Sequence, residues 1–292
     1  MKRINPKSHD SLFKWLITSF TEEFFAHYFP TLKIGAYRFL DKEFLSRYEA
    51  LKESLKGDLF LLMEVDIDGA CQEVAIQIEH QSERDEVAER LFEYLCYVWL
   101  LTKKPVWSMV IYTDDASWRK RVASQYYYGF SRAQQKQYFH FDVIKVKDER
   151  SRDLIQKPSL LCKLLALKAN DEGTDPALLV SEIYRATAHL KEQLTADQLL
   201  LITQWVDLYN KVPEPVLKQL KQEVNMESIE TTISEHIYNQ GKAEGRNEGR
   251  TESLREQLAV LENLCRQGIL SEAQLSAVTV TWRQTLRSQV VR

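Results

Sequence analysis

The segment from Asp58 to Gln81, DLFLLMEVDIDGACQEVAIQIEHQ, constrains the fold more than any other part of the chain. Two apolar runs flank Asp68-Gly69, a dipeptide that tolerates the positive φ angles of a two-residue hairpin turn. The pattern predicts strands over 58–67 and 72–79. With Asp68-Gly69 as a type I′ turn, Ile67 faces Ala70 and Asp58 faces Glu79. Those two acids then stand roughly 4.5–5.5 Å apart at Cβ, on one side of the sheet. Leu59, Leu61, Met63, Val65, Val74, Ile76 and Ile78 share a core face. Asp58, Phe60, Leu62, Glu64, Glu73, Ala75, Gln77, Glu79 and Gln81 share the other, which is polar at both ends. A slip of one residue would exchange the two sets, so the turn specifies the register.

Around this hairpin the pattern alternates. Ser8 or Asp10 caps a first helix carrying Leu12, Phe13, Leu16, Ile17 and Phe20, and a second helix ends near Pro30. Ser82-Glu83-Arg84-Asp85 resembles a capping box and predicts a helix over 83–102, stopped by Pro105. VWSMVIYT (106–113) and YFHFDVIKV (138–146) read as strands. After residue 150 no strand of comparable strength follows, and Thr195-Ala196-Asp197-Gln198 is a second capping-box match. Residues 36–49 give no clear pattern. The expected class is α/β, with three parts: 1–150, a helical region over 151–238, and a glycine- and charge-rich linker with a helical tail over 239–292.

Two carboxylates that close repel when both are ionised; a proton or a cation must intervene. Oxygen donors from Asp58 and Glu79, completed by waters and a phosphate, suit Mg²⁺ or Mn²⁺. Such an ion activates water for attack on a phosphodiester. Gln81, on the same side, can orient that water or the phosphate. His80 points the other way by strand alternation and reads as a structural histidine. A calcium-loop reading from Glu64 fails, because its twelfth position is Ala75 rather than an acid.

Asp58 with Glu79-His80-Gln81 resembles the PD-(D/E)xK nuclease superfamily in its E-x-Q variant. HDSLFKWL (9–16), GDLFLL (57–62), IEHQSERD (78–85) and RLFEY (90–94) are, in that order, similar to the Rpn (YhgA-like) family of recombination-promoting nucleases and transposases. The similarity covers roughly the first half of the chain. It implies a restriction-endonuclease-like core, a central mixed sheet flanked by helices, with an all-helical C-terminal half. It implies Mg²⁺-dependent endonucleolytic cleavage of DNA, linked to recombination, transposition or defence. It implies catalytic roles for Asp58, Glu79 and Gln81, metal ligation by Asp58 and Glu79, and a lesser site role for Asp10. The apolar run Leu59–Leu62 after the first acid departs from the family pattern and makes the groove beside it less polar. The competing reading is a non-catalytic module that keeps the fold and binds DNA or protein.

Arg90 and Tyr94 lie one helical turn apart, where they can contact phosphate or brace Glu79. Residues 117–141 carry Arg119, Lys120, Arg121, Arg132 and Lys136, no acid, and interleaved tyrosines. In a chain of net charge −3 this is the candidate DNA-backbone contact. In the tail, Gly241, Gly245 and Gly249 recur at helical spacing, which reads as a linker, with self-association through the helical half as the sharper alternative. The four cysteines form no CxxC pair, so neither zinc nor a disulfide framework is expected. With no apolar leader and no spanning segment, a cytoplasmic location away from membranes is expected.

Overall fold

A computed structural model describes residues 9–40, 59–67, 69–116, 118, 120, 122–129 and 138–266 of the 292-residue chain. Two helices, α1 (His9–Ser19) and α2 (Thr21–Tyr28), precede a meander of β1 (Lys33–Phe39), β2 (Leu59–Ile67) and β3 (Ala70–Gln81). Helix α3 (Ala88–Thr102) then leads to β4 (Val106–Tyr112). Short strands β5 (Gln125–Tyr127) and β6 (Tyr138–His140) form a two-stranded sheet, and β7 (Asp142–Lys145) returns to the main one. The main sheet has five strands in the order β1-β2-β3-β4-β7. β1, β2 and β3 are antiparallel neighbours, whereas β3-β4 and β4-β7 are parallel, so the sheet is mixed. The protein is an α/β structure with this sheet flanked by helices.

The hairpin register runs from Ile67↔Ala70 to Leu59↔Ile78, as the turn predicts. Gly69 sits at φ +81°, the left-handed region that glycine enters without a Cβ penalty. Asp66 caps the turn by accepting the Gly69 N–H at 2.8 Å. β3 does not end at residue 79. It continues to Gln81 because β4 runs parallel beside it, with Glu79↔Val110, His80↔Ile111 and Gln81↔Tyr112. The polar triplet is therefore held inside the strand ladder.

Both faces of the hairpin are covered. Leu61, Met63, Ile76 and Ile78 are buried on the side where α1 meets β3. On the other side Phe60, Leu62 and Ala75 pack with Leu40, Tyr94, Tyr97 and Val98, mostly from α3. Burial of each large apolar side chain here contributes about 1.5–3 kcal/mol. The middle of the face that ends in acids is thus a second core layer, which is why α3 must cross it.

Three elements differ from the sequence expectation. β1 falls partly in the stretch that gave no pattern. It is an edge strand bearing Lys33 and Arg38, its register breaks between Ile34 and Tyr37, and its half-exposed residues lack a clean alternation. The helix expected from 83 starts at Ala88, and its N-cap residue, Val87, has no side-chain cap. Residues 83–86 are exposed and lack an apolar stripe; tertiary contacts hold them instead. The Tyr112 hydroxyl donates to the Asp85 carbonyl at 2.7 Å, and Arg84 donates to the Lys120 carbonyl at 2.9 Å. The strand expected over 138–146 is two strands serving two sheets, broken at Phe141.

Among the described residues from Ser151 onward the regular elements are helices: α4 (Ser151–Gln156), α5 (Leu160–Leu165), α6 (Pro176–His189), α7 (Ala196–Tyr209), α8 (Glu214–Glu223) and α9 (Glu227–Arg266). Thr195 and Gln198 form the expected capping box on α7. A boundary at residue 150 would cut through packed elements. Trp205 of α7 is fully buried 5.6 Å from the Phe13 ring, and Gln198 donates to the Ser19 carbonyl at 2.9 Å. Glu23 of α2 accepts the Ser159 hydroxyl and the Leu161 N–H at the start of α5. One compact unit ends at Ile229, and a second begins at Glu230, within α9. Gly241 and Gly245 lie in that helix with open space where a Cβ would stand. No helix among the described residues is long and apolar enough to cross a membrane.

Candidate functional site at the carboxyl end of β3

Glu79, His80 and Gln81 point alternately to the two faces of the sheet, and the structure gives each face its own network. On the α3 face Glu79 is only 5% exposed. Its Oε1 accepts from the Arg90 guanidinium and from the Gln81 amide, each at 2.5 Å. Its Oε2 is buried and has no hydrogen-bond partner among the described residues. A buried carboxylate oxygen left bare is costly, so such an atom calls for an explanation.

Neighbouring side chains extend this face. Gln77, fully buried two residues earlier, accepts from the Ser108 hydroxyl at 2.9 Å while its Nε2 has no partner among the described residues. Tyr112 lies beside Gln81 in the register. Its phenol is pushed up to about 12, by burial first and then by the negative charges of Glu86, Asp85 and Glu79, with Arg90 opposing. Next in the row comes Lys145, buried at the end of β7. Its ammonium donates to Asp114 at 2.8 Å and to the Ala116 carbonyl at 2.6 Å, and lies 3.7 Å from the centre of the Trp118 ring. Asp114 keeps one buried oxygen without a partner among the described residues.

On the opposite face, His80 stacks on Phe13 with ring centres 4.5 Å apart. Its Nδ1 lies 3.2 Å from Asp10 and its Nε2 2.8 Å from the Thr113 hydroxyl. Burial lowers its pKa against the opposing pull of the Asp10 carboxylate. Burial alone would raise Asp10, but hydrogen bonds and charge from His80 and Lys14 outweigh it and hold the carboxyl below the usual range.

Glu79, Gln81 and Arg90 therefore meet, and Asp10 lies across the sheet from them with His80. Gln81 spends its amide on Glu79, so it orients the carboxylate. Arg90 pairs with the same oxygen through one guanidinium nitrogen, which is the bracing contact, while the side chain stays 41% exposed. Asp58, which the register would set opposite Glu79, lies outside the described residues, as do Arg119, Arg121, Arg132 and Lys136. Lys120 is exposed. Tyr126 and Tyr128 pack on α3: Phe92 stacks on Tyr128 at 4.4 Å, and the Tyr126 hydroxyl donates to Glu89 at 3.2 Å. Glu89 and Glu93 make the helix surface below Tyr126 acidic, a poor place for phosphate.

Thr113, Asp114, Lys145 and Gln77 were not singled out from sequence. Nothing local ties Asp114 to Lys145, which comes from a separate parallel strand. Among the described residues no group of three or more His, Cys, Asp and Glu side chains is arranged to hold a metal ion. Comparison with family models, curated proteins and solved structures finds no match.

Proposed function

We propose that the chain is a divalent-metal-dependent nuclease that hydrolyses DNA phosphodiesters at the carboxyl end of β3. The observation that carries this reading is the buried Oε2 of Glu79, which has no partner among the described residues, next to an Oε1 that already accepts from Arg90 and Gln81. A hard, oxygen-seeking cation fits that donor. Glu79 and Asp58 would hold Mg²⁺ or Mn²⁺, which when bound polarises the phosphate and lowers the pKa of attacking water. Gln81 and Arg90 fix the carboxylate rotamer so that Oε2 stays turned toward the ligand. Tyr112 and Leu91 belong to the buried apolar cluster around Val110, the β4 residue that pairs with Glu79. The resemblance to recombination-promoting nucleases supports the same chemistry and suggests recombination, transposition or defence as its use.

One observation favours a binding module that does no chemistry: the Arg90 guanidinium already neutralises Glu79. Incubating the full-length protein with supercoiled plasmid and Mg²⁺ decides between the two. Nicking that disappears with EDTA and with Glu79→Ala supports the nuclease. Nicking that persists in both rejects the assigned site. Salt-sensitive DNA binding without nicking favours the module.

A further inference from the structure

We propose that Asp10, His80 and Thr113 form a positioning relay that pins the carboxyl end of β3 from the face opposite Glu79. Its catalytic consequence rests on the nuclease reading above.

Strand alternation sets Glu79 and His80 on opposite faces, so a twist of the backbone that re-aims one Cα–Cβ bond re-aims the other. Glu79 is held by α3 through Arg90. His80 is held by α1, through Asp10 at 3.2 Å and the Phe13 ring, and by the end of β4, through Thr113 at 2.8 Å. The Thr113 N–H donates to the Gln81 carbonyl at 2.9 Å. Three successive residues of one strand are thus tied to three different elements.

The chemistry of the partners fixes the proton positions. An ionised carboxylate only accepts, so the His80 Nδ1 carries the hydrogen. Nε2 is then the acceptor and the Thr113 hydroxyl donates to it. The second Asp10 oxygen is taken by Lys14. Carboxylate, imidazole and hydroxyl in this order match a nucleophile triad in outline. Access excludes that role: the Thr113 and His80 side chains are buried, and Phe13 covers one face of the imidazole. An apolar residue at position 80 would fill the space equally well. What imidazole adds is direction, because two hydrogen bonds on opposite edges fix the ring and hence the strand.

Two independent readouts test this on the full-length protein. Amide hydrogen exchange reports whether Thr113 stays bonded to Gln81, and ¹⁵N correlation spectra report the His80 tautomer. The Nδ1–H form is expected, with Thr113 exchange accelerated about tenfold or more in Asp10→Ala and Thr113→Val while β2 amides stay unchanged. The Nε2–H form, or unchanged exchange, overturns the relay. Mg²⁺-dependent plasmid nicking supplies the second readout. Asp10→Ala and Thr113→Val should lower kcat about 10–100-fold with KM for DNA little changed, as for residues that orient a ligand-bearing side chain. Asp10→Asn and Thr113→Ser, which keep an acceptor and a hydroxyl, should restore most of that loss. If Asp10→Asn is as inactive as Asp10→Ala, the carboxylate charge itself is required and the positioning role is wrong. A wild type that nicks nothing, with exchange and tautomer as expected, overturns the nuclease reading and leaves the pinning in place.

Discussion

Replacing Glu79 by Gln changes one charge at a buried position and almost nothing in shape. Oε1 accepts two hydrogen bonds, from Arg90 and Gln81, and an amide oxygen can accept both. Bonds to a charged acceptor are worth about 1.5–3 kcal/mol and neutral ones about 0.5–1.5, so two such exchanges cost roughly 2–3 kcal/mol before solvent is considered. Arg90 is 41% exposed, and water recovers part of what its guanidinium loses. The other oxygen has no partner to lose. The metal-free variant should therefore be only about 1–2 kcal/mol less stable, or roughly 2–8 °C in Tm for a unit of this size. The response to Mg²⁺ should differ far more. If Glu79 ligates the ion, Mg²⁺ at 100 times its Kd stabilises the wild type by about 2.7 kcal/mol, and the variant gains almost nothing. Differential scanning calorimetry with a Mg²⁺ titration, and EDTA as baseline, measures both quantities. Equal Mg²⁺-dependent shifts in the two proteins would refute ligation by Glu79. A metal-free loss above about 4 kcal/mol would refute the view that the Arg90 pair is hydrated and that Oε2 is idle.

Lys145→Met should destabilise by about 3–5 kcal/mol in urea unfolding, because it strands the Asp114 carboxylate in a buried site with the Trp118 indole as its remaining donor; a loss below about 1 kcal/mol would show that water reaches Asp114. Thr195→Ala should cost about 1 kcal/mol through the lost capping box, and Thr195→Ser should restore most of it. His27 gives a pH signature. Hydrogen bonds to the Cys162 sulfur and the Glu149 carboxylate, against burial, push it from 6.5 up to about 9. Its protonated form is favoured in the folded state, so its stabilisation is complete below pH 6.5 and is lost as pH rises through about 9. The exposed Lys157 ammonium, 3.0 Å from Nδ1, opposes this but is screened by solvent. Urea midpoints measured from about pH 6 to about pH 10 should fall more steeply in the wild type than in His27→Gln, and parallel curves would remove His27 from the account.

Some features needed no partner to be legible. Asp68-Gly69 and the two apolar runs beside it defined the hairpin and its register, because side-chain alternation and turn geometry are local. The Thr195–Gln198 box was equally local. The Glu79/His80/Gln81 division between faces followed from the same alternation. Other features depend on contacts distant in sequence. The start of α3 at Ala88 rather than 83 follows from loop contacts to Tyr112 and Lys120. The course of β3 to Gln81 depends on a parallel neighbour thirty-one positions later in the pairing Glu79↔Val110.

The hairpin, the α/β class, and an acid and an amide sharing one side of a strand end are encoded locally in the chain. These rest on periods of two residues and on turn chemistry, which short segments carry alone. The tertiary structure alone decided the partners: Arg90 and Gln81 on Glu79, Asp10 and Thr113 on His80, and Asp114 on Lys145. Each joins groups whose cost of burial is met only after several elements have packed, and no local pattern encodes that balance.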